Sequence, residues 1–227
     1  MFCHFTSFTQ TSAQPDQARL ATMLATVPGL AKALIHTASA TSDPYLHDGA
    51  PPALVIQSYF ADIAALEAAC APSGALQPLA HVLPGASITQ QAMLVRTYPV
   101  PDPVFQTPPG EPHCTYLVAY EGQAEDLNLW LTHYIAHHPP IMAKFPGIRQ
   151  IEIYTRIDWC GHLPFPRVTH MQRNKVVFDS PAALTAALNS PVRHEMRADF
   201  NQFPPYSGAN THYPMQTRAV SASARPS

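Results

Sequence analysis

Charge is scarce in this chain. Only 12% of its 227 residues are Asp, Glu, Lys or Arg, about half the usual quarter. The formal net charge is −2, with no block of Lys or Arg. A dedicated nucleic-acid binder needs clustered cations to neutralise phosphates, so the composition argues against that class. No apolar run approaches the roughly 18–20 residues of a membrane span. The N-terminus MFCHFTSFTQ lacks a basic stretch followed by an apolar one, so no secretory signal is expected. Cys3, Cys70, Cys114 and Cys160 form no tight pair. That argues against a zinc ribbon or a disulfide scaffold and fits reduced thiols in a cytoplasmic protein. A Gly-rich phosphate loop, a G-x-S-x-G elbow and a G-x-G-x-x-G fingerprint are all missing, so nucleotide cofactors and serine-hydrolase chemistry are unsupported.

Apolar residues make up 46%, enough to bury a substantial core. The 25 prolines cluster in connections, Pro99 to Pro112 above all, where a fixed φ stiffens loops. An internal repeat organises the rest. Residues 25–37 read ATVPGLAKALIHT and residues 143–155 read AKFPGIRQIEIYT. Residues 60–69 read FADIAALEAA and residues 178–187 read FDSPAALTAA. Pro28 recurs as Pro146 and Phe60 as Phe178, an offset of 118 in both blocks. A period this long is a whole small domain rather than a solenoid unit.

Each copy predicts the same order of elements. In the second, 115–120 is a short apolar run and hence a strand. Residues 124–138 have helical spacing. Residues 148–157 alternate, with Ile151, Ile153, Thr155 and Ile157 on one face and Gln150, Glu152, Tyr154 and Arg156 on the other. A strand over 171–178 follows, then a helix capped by Ser180-Pro181, then a strand near 212–218. The first copy fits with strands over 2–8, 30–37, 53–60 and 88–97 and helices over 16–25 and 62–70. The order is βαββαβ, the split βαβ of ferredoxin-like folds. The expected fold is α+β, two tandem ferredoxin-like units packed sheet face to sheet face as a pseudo-dimer that forms an internal barrel. The expected boundaries are 1–100 for the first unit, 101–113 for a Pro-rich linker, 114–218 for the second unit and 219–227 for a disordered tail. The face carrying Glu152, Tyr154 and Arg156 would line the interior, as a ligand-binding wall or as a solvated face.

Tyr134-x-x-x-His138-x-Pro140, followed by Phe145-Pro146-Gly147 and an alternating strand, resembles the EthD family of the dimeric α+β barrel superfamily. Gly147 lies nine residues after His138, the spacing of that family's motif, and the FDSPAAL block resembles its third strand and second helix. The likeness covers most of 114–216. In the first copy Leu20 stands where His138 would be and Asp16 where Tyr134 would be, so its motif is degenerate. The resemblance implies small aromatic, lactone or polyketide-like substrates and isomerase, lyase, cyclase or monooxygenase chemistry. It implies no cofactor in most members and heme in some.

His138 and Tyr134 share a helix face. Pro139 disfavours helical geometry at His138 and is expected to end the helix there, with a second short segment following. An imidazole at such a break suits proton transfer, with the phenol as its orienter or as an oxyanion donor. The alternative is a histidine that merely pins the break. Arg156 is the candidate anchor for a substrate carboxylate or enolate, or else a salt-bridge partner of Glu152 or Asp158. Tyr154, Glu152, His170 and Trp159 are the candidate substrate-binding residues. Trp159 and GHLPFPRVTH form a long connection that either lids a cavity or packs on the surface. His133 and His137 have metal-ligand spacing with His138 or His170 as a third ligand, but no HExxH glutamate lies between them, so no metal and no cofactor are expected. His194 should be exposed. The expected partner is a small-molecule substrate, with neither nucleic acid nor membrane. A homodimer remains open through strand edges or helices.

Overall fold

The Pro28-Gly29 and Pro146-Gly147 turns show how the two halves are built. Gly29 and Gly147 take φ of 75° and 73°, the left-handed region that glycine enters without a Cβ penalty. Each turn ends a helix-to-strand connection and launches a strand. In both strands the register shifts just afterwards, between Leu30 and Lys32 and between Ile148 and Gln150. The β-bulge thus recurs at the 118-residue offset.

The computed structural model describes residues 1–221 except Ala40 and Ser42. The first half contains β1 (Phe2–Thr9), α1 (Gln17–Ala25), β2 (Leu30–Ala38), β3 (Leu54–Phe60), α2 (Ile63–Ala69), a 3-10 turn (Gln77–His81) and β4 (Ser87–Tyr98). The second contains β5 (His113–Tyr120), α3 (Leu127–Met142), β6 (Ile148–Arg156), β7 (Gln172–Phe178), α4 (Pro181–Leu188), α5 (Val192–Phe200) and β8 (Asn210–Ser221). Asp16, Asp62, Asp126 and Ser180 cap α1, α2, α3 and α4, each accepting from a backbone N–H in the first turn. β8 runs to Ser221, past the point where the tail was expected to begin. The rest of that tail, 222–227, lies outside the described residues.

The fold is α+β, with one closed barrel of eight antiparallel strands in the order β1-β3-β2-β8-β5-β7-β6-β4. The two halves meet at β2–β8 and β4–β6, so the expected barrel is present as one continuous sheet rather than as two discrete sheets. A closed barrel leaves no free strand edge, which removes that route to a homodimer. Among the described residues no helix is long and apolar enough to cross a membrane.

Alternation along the strands makes three cores. Cys3, Phe5, Val55, Tyr59, Met93 and Tyr154 pack inside the barrel. The outer face of the second half packs Tyr120, Ile151, Ile153 and Phe178 under Trp130 and Tyr134 of α3 and Leu184 of α4. The outer face of the first half packs Phe8, Ile35 and Ile56 under Leu20, Leu24 and Leu66. Leu163 and Phe165, from the β6–β7 connection, complete this third core.

One expectation about α3 is corrected. The helix does not stop at His138. It continues through Pro139 and Pro140 to Met142. A proline inside a helix removes a hydrogen bond to the carbonyl four residues earlier, at a penalty of roughly 3 kcal/mol. Burial of His138, Pro139 and Met142 on the core side offsets that loss and carries the helix across.

Candidate functional site

His138 is 4% exposed and sits where α3 crosses α5. Its Nδ1 lies 2.6 Å from Oδ2 of Asp199 on α5. A carboxylate only accepts, so Nδ1 carries the proton and Nε2 is left as the basic nitrogen. Nε2 makes no hydrogen bond to a described residue. Burial lowers the pKa of His138, and the hydrogen bond and charge of Asp199 partly restore it. Burial alone would raise the carboxyl of Asp199, but the hydrogen bond from His138 and the nearby His133 bring it below its ordinary value. The pair is a neutral imidazole held by an anion, an arrangement suited to taking a proton.

Tyr134 is fully buried, its ring stacked on Trp130 and 4.9 Å from that of His138. Its hydroxyl accepts from Asn174 Nδ2 at 2.7 Å and does not reach the imidazole. Asp199, rather than Tyr134, therefore orients His138. The Phe203 ring closes the other side at 5.0 Å.

His138 forms part of the wall of a cavity of about 150 Å³ between the second-half sheet and α3, α4 and α5. Val118, Val176, Phe178, Leu184 and Met196 make most of the wall apolar. Asn174 supplies a polar point, its Oδ1 buried without a partner. Arg193 and Arg197 stand at the α5 side, and Arg193 Nη2 lies 3.6 Å from Asp43. The buried His/Tyr/Asp cluster and its aromatic surround are consistent with an enzyme acting in a small-molecule cavity.

The expectation of no metal and no cofactor is overturned beside this cavity. Ligand atoms of His133, His137 and Asp199 all lie within 4.8 Å of one another. His137 Nδ1 is engaged with the His133 carbonyl at 2.8 Å, which leaves its Nε2 to ligate. His133 Nε2 is buried without a hydrogen bond, although it lies 3.4 Å from Asp199 Oδ1. An ion between them would meet two imidazole nitrogens and one carboxylate oxygen, a donor set that suits Zn²⁺ with water completing the shell. The third ligand is Asp199, not His138 or His170.

The remaining candidates lie elsewhere. Glu152 and Tyr154 face the barrel interior, on the other side of the sheet from His138. Tyr59 and Tyr154 both donate to Glu152 Oε2 at 2.6 Å, and Lys175 Nζ lies 3.2 Å away. Burial opposes ionisation of Glu152, but Lys175, Lys32 and the two phenols bring its pKa down to about 2. The group is a saturated structural network. Arg156 is exposed at the end of β6 and forms no ion pair with Glu152, Asp158 or any other described residue. Trp159 packs edge-on against His4 at 5.3 Å, under the Arg167 guanidinium. It packs against the first half and does not line the His138 cavity. His170 lines a second cavity, at one end of the barrel. His194 is exposed.

No family model and no curated protein matches the chain. Solved structures do share its fold. An anthrone oxidase-like protein superposes with a TM-score of 0.63 at 12% identity, over 99% of this chain and 94% of its own. A proposed monooxygenase from Fusobacterium nucleatum subsp. nucleatum gives 0.59 at 8% identity, over 97% and 93%. Another, from Lactobacillus acidophilus NCFM, gives 0.54 at 12%, over 97% and 95%. The chain is similar in fold to these monooxygenase-like barrels over nearly its whole length.

Proposed function

We propose that the chain is an enzyme that moves a proton on a one-ring substrate carrying an anionic group, with His138 as general base and acid. The observation that carries this reading is the His138–Asp199 pair in the wall of an apolar cavity. A cavity of about 150 Å³ accommodates a benzene-sized ring, which favours a single ring over a fused tricycle such as anthrone and is too small for a heme macrocycle. Nε2 of His138 removes a proton from carbon beside a carbonyl and returns it at another position, so the substrate is isomerised with no change in its atoms. Asp199 keeps the proton on Nδ1 and stabilises the imidazolium that forms. Asn174 Oδ1 accepts from the substrate, and Arg193 takes the anchoring role first considered for Arg156. Tyr134 holds the Asn174 amide in place.

A second reading shares the first step. The names of the fold relatives point to oxygenation, in which the carbanion formed at His138 reacts with O₂ instead of being reprotonated. Oxygen uptake separates the two.

Residues 1–100 and 114–218 read as two copies of one ferredoxin-like unit, joined by 101–113. The 118-residue offset, the recurring glycine turn and bulge, and the matching strand order of the halves support this. EthD membership is supported by the motif around His138, and a cytoplasmic location by the unpaired cysteines.

The test is proton exchange in D₂O, followed by NMR, using a five-membered enol-lactone with a carboxymethyl group as the probe. The wild type should catalyse C–H exchange. His138→Gln should slow it by about 10²–10⁴-fold, and Asp199→Asn by a smaller factor. Undiminished exchange in His138→Gln would refute the assignment.

A further inference from the structure

Among the described residues the barrel interior holds Lys175, Arg173 and the half-exposed Lys32 but one carboxylate, Glu152, and that carboxylate is already paired with the two lysines. Arg173 is left over. It is held over the Phe5 ring, 4.9 Å from its centroid. Its Nε donates to Gln91 Oε1 at 3.3 Å, and Gln91 Nε2 donates in turn to the His170 carbonyl at 2.9 Å. The guanidinium has no carboxylate within ion-pair distance among the described residues, and its two terminal nitrogens donate to none of them. Arg173 is half-buried at this end of the barrel, and a partly desolvated guanidinium gains from an anionic partner.

What lies in front of it is a cavity of about 180 Å³ at one end of the barrel, lined by Arg173 and His170. His170 Nδ1 is buried without a partner. Ser7, Thr89 and Thr211 line the same space with hydroxyls that bond to no described residue, and Phe5, Val55 and Leu117 give it an apolar wall. Glu121 lies on the exposed rim. This space is inside the barrel, on the opposite side of the sheet from His138.

We propose that this cavity is a second binding site, for a small one-ring carboxylate. The carboxylate would take the free fork of Arg173, which matches it with two parallel N–H donors. The ring would lie against Phe5, Val55 and Leu117, and His170 Nδ1 and the hydroxyls would bind polar substituents. Gln91 fixes the guanidinium so that little is ordered on binding. Burial lowers the pKa of His170 to about 3, with Arg173 adding to the effect, so His170 stays neutral near pH 7 and Arg173 is the charged donor.

Benzoate is the probe, with thermal unfolding and calorimetry as readouts. The wild type should bind benzoate and melt higher in its presence. Arg173→Met should lose that binding and melt at the same temperature with and without benzoate. Arg173→Lys keeps the charge without the fork and should bind about tenfold or more weakly. His194→Ala, on an exposed face of α5, should bind as the wild type does. Failure of the wild type to bind, or full affinity in Arg173→Met, would overturn the proposal. Affinity lost in His138→Gln but kept in Arg173→Met would place the anion in the helix-side cavity, which refutes this site without touching the role of His138.

Discussion

Asp199 serves two histidines at once. One oxygen accepts from His138 and the other faces His133. A metal ion bound by His133, His137 and Asp199 would touch His138 only through this carboxylate. Zn²⁺ added to metal-free protein should bind one to one by calorimetry. His137→Ala should weaken it by about tenfold or more, and His194→Ala, on an exposed face of α5, should leave it unchanged. Equal affinity in His137→Ala would dismiss the site. The residue-level reading of the sequence reached His138 because the motif is local and its spacing is visible. It could not reach Asp199, whose partner lies 61 positions away on a helix that only tertiary packing brings against α3. The same holds for Glu152 and Tyr154. Strand alternation put them on the interior face, but nothing local shows that Tyr59 and Lys175 saturate them.

At the scale of elements, the strands and the Ser180 cap were legible, because alternation and N-cap residues act within a few positions. Two elements were not. The prolines of α3 argue locally for a break, and packing overrides them. The β6–β7 connection has no periodicity, so a lid and a surface loop looked alike in sequence. It is neither. Gln90 Nε2 donates to the Leu163 and Phe165 carbonyls at 3.2 and 2.7 Å, and both side chains enter the core under α1 and α2. The loop thus fills on the first half the position that the cavity occupies on the second. Phe165→Ala should therefore destabilise the fold by about 3–5 kcal/mol in urea unfolding, although it lies in irregular chain, while turnover at His138 is retained in the folded protein. A loss below about 1 kcal/mol would mean that the loop only rests on the surface.

For the whole molecule, the buried histidines set the response to acid. His4 is pushed down to about 4 and His36 to about 3, each chiefly by burial. Both are neutral in the native state, whereas the unfolded chain takes up protons near pH 6.5. Between those values the unfolded state holds more protons, so stability falls as pH falls. One pKa unit corresponds to about 1.4 kcal/mol, so each of the two should remove roughly 3 kcal/mol between pH 7 and 4.5. Urea midpoints measured across that range should shift accordingly. A His4→Gln, His36→Gln double variant should flatten the dependence, and an unchanged slope would contradict the assignment.

The seam between β2 and β8 has a consequence in time. β2 ends at Ala38 and its neighbour β8 begins at Asn210, so β2 waits for a partner made well over a hundred residues later. The first half likewise waits for Leu163 and Phe165. Chain made at about 5–20 residues per second would leave one side of β2 unpaired for roughly ten seconds or more. During that interval the nascent chain presents an open apolar edge, and the ribosome or a chaperone must keep it from meeting another like itself.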